Sequence, residues 1–113
     1  MSRDDATLLD ILKAARLVVE FKRKLAKKAF LRDIKTQSAI LHQLLVIGEA
    51  VKRLSEEFRA QHPEIPWARI AGMRDKLIYQ YDAVDLDEVW KTVTKDIAPL
   101  ISFVEPLILP EKK

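Results

Sequence analysis

The side chains of this sequence that are best suited to chemistry lie between Ile65 and Trp90. Arg74 and Asp75 are adjacent, and Tyr79 and Tyr81 follow within seven positions. A guanidinium group stays protonated and can bind two phosphate oxygens at once, and a phenol can donate a hydrogen bond or stack on a base. On a generic helix, however, a neighbouring arginine and aspartate form an ordinary surface ion pair, and such tyrosines are interfacial aromatics. These residue types alone leave both interpretations open.

The spacing of these residues determines which of them share a face of a regular helix. Arg74 and Tyr81 are seven positions apart and share a face, whereas Arg74 and Tyr79 are separated by about 140°. Asp75, Tyr79 and Asp82 line up at spacings of four and three. A site that uses both Arg74 and Tyr79 is therefore easiest to build across a twofold axis, with one side chain from each subunit.

A second feature is a run of six basic and no acidic residues between Phe21 and Arg32. The rest of the chain contains 14 basic and 17 acidic residues, so this run alone accounts for the positive sign of the formal net charge of +3. On a helix, Lys24, Lys27 and Lys28 point outward. They form a solvated face, a surface that contacts RNA phosphates, or a docking face for an acidic partner.

Length and composition exclude several classes of protein. A chain of 113 residues is expected to form one domain, over residues 1–113, around one core. The lack of cysteine excludes disulfides and thiol chemistry, and the two distant histidines predict no metal site, so we expect no cofactor. Two glycines are too few for a glycine-rich phosphate loop. The longest apolar stretch is interrupted by His42 and Gln43, so we expect no membrane segment and a cytoplasmic location.

The elements that must position these residues are helices. Apolar residues recur at intervals of three and four almost throughout the chain, which predicts an all-α protein. Helices are predicted over Asp4–Ala29, Ile34–Phe58 and Pro66–Tyr81, and a fourth starts at Asp85 and is kinked by Pro99. Short links between four amphipathic helices predict an antiparallel four-helix bundle, with a frayed tail from about residue 108.

Single glycines and histidines add further expectations. Gly48 and Gly72 are expected to let helices approach closely. His42, between apolar neighbours, is expected to be a hydrogen-bonded core or interface residue. His62 belongs to the connection His62–Pro66 and is expected to be solvated.

Several of these elements together resemble the HepT-like branch of the HEPN superfamily, the toxin half of HEPN/MNT toxin–antitoxin pairs. The similarity extends over nearly the whole chain. The matching elements are Thr36 and Gln37 at the start of the long helix, IGEA at Ile47–Ala50, IPW at Ile65–Trp67, Gly72 ahead of Arg74, and VDLDEVW at Val84–Trp90.

The resemblance implies a homodimer with a metal-independent ribonuclease site in the cleft between its subunits. The family motif is an arginine, four to six residues, a histidine, one residue and a tyrosine. Arg74 and Tyr81 match it, Asp75 occupies the polar position after the arginine, and Tyr79 replaces the histidine. In the implied roles, Arg74 holds the phosphate with Asp75 beside it, and position 79 supplies the acid or base.

The replacement at position 79 matters because of the chemistry of RNA cleavage. The reaction needs a group that takes the proton of the 2′-hydroxyl, a proton donor for the leaving 5′-oxygen, and a cation near the phosphorane. Histidine has both forms available near neutrality, whereas tyrosine, with a reference pKa of about 10, is phenolate in about one molecule in a thousand at pH 7. Acid–base catalysis is worth roughly 10²- to 10⁴-fold. We therefore expect Tyr79 to reduce or abolish cleavage, while RNA binding can persist.

The resemblance also implies a partner, a minimal nucleotidyltransferase antitoxin that transfers AMP to the motif tyrosine. Spacing favours Tyr81 over Tyr79 as the acceptor. Two alternatives stay open: an inactive module that binds the nucleotidyltransferase or RNA, and a helical interaction protein with no RNA role. Glu49 is either a polar contact in the dimer cleft or a partly solvated flank.

Overall fold

The computed structural model describes residues 3–80 and 83–108 as a helical bundle, which confirms the predicted all-α class. Helix α1 (Arg3–Lys22) packs against α3 (Ile34–Arg53) and α7 (Ile97–Ile108), and α3 packs against α5 (Trp67–Tyr79). Tyr81, Asp82 and the tail from residue 109 lie outside the described residues. Among the described helices, none is both long and apolar enough to cross a bilayer. The helices are α1 (Arg3–Lys22), α2 (Lys27–Phe30), α3 (Ile34–Arg53), α4 (Glu56–Gln61), α5 (Trp67–Tyr79), α6 (Leu86–Lys95) and α7 (Ile97–Ile108).

The first helix ends seven residues earlier than predicted. After Lys22 the chain turns at Lys24, whose φ of 66° is the left-handed conformation that ends helices. Like charges four residues apart along the basic run disfavour a continuous helix. The turn also reorients the chain so that Phe30, which is off the predicted apolar stripe, is fully buried, while Ala29 is exposed.

Thr36 and Gln37 form hydrogen bonds that fix the start of α3. Asp33 caps the helix by accepting hydrogen bonds from the Thr36 backbone N–H at 3.0 Å and the Thr36 hydroxyl at 2.6 Å. These bonds, chiefly the one from the hydroxyl, hold the pKa of Asp33 below its usual value. Gln37 donates to the carbonyl of Phe30 at 2.9 Å, which fixes α2 against α3.

The predicted single helix over Ile34–Phe58 is wrong, because it is broken at Leu54 and Ser55. Leu54 is buried in an extended conformation, and Ser55 caps α4 by accepting from the Phe58 N–H. Asp4 accepts hydrogen bonds from both the backbone N–H and the hydroxyl of Ser55. Because Ser55 caps α4, its side chain favours a new helix over continuation of α3. The hydrogen bonds from Ser55 to Asp4 on α1 stabilise this break.

The connection after α4 is confirmed as non-helical, but its histidine is not freely solvated. The His62 ring lies 4.6 Å from the Phe58 ring and 4.9 Å from the Phe103 ring, between centroids. Trp67 is buried and donates from its indole N–H to the His62 carbonyl at 2.9 Å. Pro66 precedes α5 as its cap residue instead of opening the helix.

The predicted fourth helix is two helices. Asp85 caps α6 by accepting from the backbone N–H groups of Asp87 and Glu88, as the capping pattern predicts. Instead of a kink at Pro99, the chain breaks at Asp96, three residues earlier. Pro99 then lies in the first turn of α7, where a missing N–H costs no intrahelical hydrogen bond.

The two glycines have different surroundings. A Cβ at Gly48 would overlap the Arg74 Cβ and lie 3.0 Å from its Cγ, so Gly48 does permit close approach of α3 and α5. A Cβ at Gly72 has no heavy atom within 4 Å. The expectation of close packing at Gly72 is therefore wrong, because its α-carbon faces open space.

This difference predicts opposite effects of alanine at the two positions. Gly48→Ala should lower the free energy of unfolding by about 1–3 kcal/mol. The added methyl group would overlap the Cβ of Arg74, which cannot move away without its backbone. Gly72→Ala should raise it by about 0.5–1 kcal/mol, because alanine loses less entropy in a helix. Urea denaturation followed by circular dichroism measures both. Equal effects of the two substitutions would contradict the packing described for Gly48.

Candidate functional site

Arg74 is held on the surface between α3 and α5 by two carboxylates. Its Nη2 lies 2.9 Å from Oε1 of Glu49, and its Nη1 lies 2.9 Å from Oδ1 of Asp75. Lys52 extends the arrangement, since its Nζ lies 2.9 Å from the same oxygen of Asp75. We call Glu49, Lys52, Arg74 and Asp75 the Arg74 network. Its arginine is 22% exposed, so it is accessible but well oriented.

Local structure explains why these four side chains meet. Glu49 and Lys52 are three residues apart and project from one side of α3. Gly48, beside Glu49, lets α5 come close enough for Arg74 to reach across. An apolar margin adjoins the network, because Leu45, Val46 and Ile78 line a shallow depression of about 330 Å³ together with Arg74.

The charges of the network stabilise one another. The hydrogen bond to Asp75 is the main cause that raises the pKa of Arg74, and the carboxylate charges of Glu49 and Asp75 add to it against partial desolvation. Hydrogen bonds from Lys52 first, and from Arg74 second, lower the pKa of Asp75. Asp75 therefore stays ionised at neutral pH, which suits it to orient Arg74 and not to donate a proton.

The arrangement leaves Arg74 able to bind an anion. A guanidinium group has five N–H donors. The two carboxylates use two of them, one on Nη1 and one on Nη2. The remaining donors can bind an oxyanion such as a phosphate, for which a planar, fixed guanidinium is well suited.

Tyr79 is the last residue of α5 and is 81% exposed. It is five positions from Arg74 on the same helix, and its phenol is open to solvent. Tyr81, the other motif tyrosine, lies outside the described residues.

The basic run contacts α6 and lies apart from the Arg74 network. Lys24, Lys27 and Lys28 are exposed, as predicted. Lys27, however, pairs with Asp87 at 2.9 Å, and the Lys22 ammonium lies 5.2 Å from the ring centre of Trp90. Part of the run therefore holds α6 in place, which reduces the charge available to a ligand.

Two further residues singled out from the sequence, His42 and Glu49, lie on α3. His42 is exposed on α3, so its assignment to the core is wrong; a role at an interface stays a prediction. Glu49 is half exposed but paired with Arg74, which favours a specific contact over a solvated flank. Sequence reasoning missed Lys52, and the signal that points to its region is the glycine of the IGEA element.

The fold and the site define a small all-α domain with a partly exposed arginine that two carboxylates orient. The family model described as ribonuclease HepT-like matches residues 11–107. A protein of Thermococcus cleftensis named "Probable ribonuclease HepT" is 47% identical over 100 residues, which cover 88% of this chain and 91% of that relative. No solved structure matches the chain.

Two further relatives have names that refer to RNA cleavage. A "Putative RNase" of Methanocaldococcus jannaschii is 38% identical over 103 residues, which cover 91% of this chain and 85% of the relative. Another, from Caldanaerobacter subterraneus subsp. tengcongensis, is 38% identical over 102 residues, which cover 90% of this chain and 91% of the relative. This chain belongs to the HepT-like ribonuclease family of the HEPN superfamily, which confirms the resemblance seen in its motifs.

Proposed function

We propose that this protein is the RNA-directed toxin of a toxin–antitoxin pair, and that Tyr79 limits its cleavage of RNA. The observation that carries the proposal is the Arg74 network, in which two carboxylates orient a partly exposed arginine at the motif position. The ribonuclease names of relatives that align over most of this chain support RNA as the ligand.

The proposed reaction needs no metal ion. The ribose 2′-hydroxyl loses its proton to water and its oxygen attacks the adjacent phosphorus, the 5′-oxygen leaves and takes a proton from water, and a 2′,3′-cyclic phosphate remains. Arg74 neutralises the extra negative charge of the phosphorane, the kind of electrostatic stabilisation that often contributes most to such reactions. Tyr79 can donate a hydrogen bond to the phosphate but is a poor base at neutral pH.

A homodimer is part of the proposal. The depression next to Arg74 has an apolar margin of Leu45, Val46 and Ile78, and Ile78 is 44% exposed in the single chain. A second copy packed there would cover this margin and place two Arg74 networks near one twofold axis. His42, which faces solvent seven residues before Glu49 on α3, would lie in the same interface.

The proposed antitoxin is a nucleotidyltransferase that modifies Tyr81. In that step the tyrosine oxygen attacks the α-phosphorus of ATP and pyrophosphate leaves. The AMP group adds negative charge within seven residues of Arg74 and so repels the RNA phosphate. Both the partner and the acceptor follow from the family motif, in which Tyr81 has the matching position.

A specific observation also favours a second function. With tyrosine in place of the motif histidine, the chain can be an inactive module that still binds RNA or the nucleotidyltransferase. The two functions share the Arg74 network and differ only in whether the bound strand is cut. Restoring the histidine distinguishes them.

Tyr79→His should raise the rate of RNA cleavage by roughly 10²-fold or more, because the imidazole supplies acid–base catalysis near neutral pH. The measurement is cleavage of a fluorescently labelled oligoribonucleotide by the wild type and the variant. Tyr79→Phe is the matched control and should not gain activity. If Tyr79→His cleaves no faster than the wild type, position 79 does not limit the reaction. Adding Arg74→Ala to Tyr79→His should remove the gain, and full activity in that double variant would move the site elsewhere.

Native mass spectrometry after co-expression with a candidate nucleotidyltransferase tests the assembly and the modification together. We expect the protein alone to have the mass of a dimer, and the co-expressed protein to carry AMP. Tyr81→Phe should abolish the added mass, whereas Tyr79→Phe should keep it. A monomer mass contradicts the dimer, and AMP that persists in Tyr81→Phe contradicts the acceptor.

A further inference from the structure

A groove between α5 and α6 lies apart from the Arg74 network. Its volume is about 500 Å³, which makes it larger than the depression beside Arg74. Its walls are charged, and its floor includes the buried Met73 and Thr92. The lining residues are Arg69, Gly72, Met73, Lys76, Glu88, Lys91, Thr92, Lys95 and Asp96.

The groove carries excess positive charge, because its four basic residues outnumber its two carboxylates. Both carboxylates are already occupied. Arg69 donates two hydrogen bonds to the buried carboxylate of Asp96, from Nη2 at 2.6 Å and from Nε at 3.2 Å. The Nζ of Lys76 lies 3.2 Å from Oε1 of Glu88. This pairing raises the pKa of Arg69, chiefly through the hydrogen bond to Asp96.

Two lysines on the α6 wall are available to a ligand. Lys91 and Lys95 are exposed, and within the part of the chain that the structure describes neither forms an ion pair. They are four residues apart on one helix face, so their stems start about 5–6 Å apart. Two ammonium groups in such a row can contact successive phosphates of one strand.

Gly72 keeps the α5 side of the groove open. A Cβ there meets no heavy atom within 4 Å, so the space above the glycine is accessible. Tyr79 is seven residues further along and lies in the same outward row of α5. This row separates the groove from Arg74, which is on the side of α5 that packs on α3. A strand bound at Arg74 can therefore pass Tyr79 and cross the low surface at Gly72 into the groove.

We propose that the groove between α5 and α6 binds the phosphodiester backbone of single-stranded RNA that extends from the site at Arg74. The proposal rests on the proposed function and adds a second contact region for the same substrate. Lys91 and Lys95 bind phosphates, Gly72 admits the strand, and the pairs at Asp96 and Glu88 keep the walls in place. RNA fits better than an acidic polypeptide, because the two free ammonium groups lie in a row that matches successive phosphates of one strand.

Binding of a 2′-O-methyl oligoribonucleotide tests the groove without interference from cleavage. Fluorescence anisotropy over a series of salt concentrations gives the affinity and its salt dependence. Lys91→Gln with Lys95→Gln should weaken binding on the order of tenfold at 0.1 M salt. It should also reduce the slope of log K against log salt by about 1.4, as expected for the loss of two phosphate contacts to a single strand.

Matched variants separate the groove from general effects of charge. Lys13→Gln with Lys35→Gln removes the same charge from exposed positions elsewhere and should change the slope little. Gly72→Glu should weaken binding by blocking the groove, in a protein that stays folded according to circular dichroism. Lys24→Gln with Lys28→Gln reports separately on the basic run.

The outcomes distinguish the two proposals. If the lysine variant of the groove binds like its Lys13 and Lys35 counterpart, the groove is not an RNA contact, and the proposed function at Arg74 stands. If polyglutamate of equal charge displaces the RNA as well as unlabelled RNA does, the groove suits an acidic polypeptide instead. If the wild type binds no oligoribonucleotide even at low salt, both the groove and the proposed function are contradicted.

Discussion

The close approach of α3 and α5 at Gly48 is the constraint on which the rest of the site depends. Without a side chain at that position, the base of Arg74 packs directly on α3. The guanidinium then reaches Glu49, and Asp75 reaches Lys52, each at 2.9 Å. Moving the helices apart by the thickness of one methyl group would separate these charges. The IGEA element is thus at once a packing element and the support of the arginine.

Local signals in the sequence were sufficient to predict the helices but not the places where they break. Helical periodicity and the cap at Asp85 are local, and they predicted the all-α fold and the start of α6. The breaks at Ser55 and Asp96 involve contacts made by distant residues. Asp4 binds Ser55 across 51 positions, and Arg69 binds the buried Asp96 across 27. Neither contact leaves a periodic pattern in the sequence.

The same limit applies to the site. Arg74, Asp75 and Tyr79 could be selected because they fall at positions of the HEPN family motif, since their residue types alone left an ordinary surface ion pair equally open. The charges on α3 that hold Arg74 could not be assigned to it, because Lys52 looks like an ordinary surface residue and Glu49 was expected in a dimer cleft or as a solvated flank. The contacts of the basic run to Asp87 and Trp90 could not be predicted for a related reason, because both partners lie on α6, which is distant in the sequence. The groove between α5 and α6 likewise exists only after the two helices meet.

The central claim is that the oriented guanidinium of Arg74 binds the RNA phosphate. NMR can follow the side-chain Nε–Hε resonance of Arg74, assigned by its loss in Arg74→Lys, while a 2′-O-methyl oligoribonucleotide is added. We expect a saturable shift of that resonance with the same affinity as overall binding, because the donors left free by Glu49 and Asp75 engage phosphate. An Arg74 resonance that stays unchanged while lysine resonances shift would contradict it.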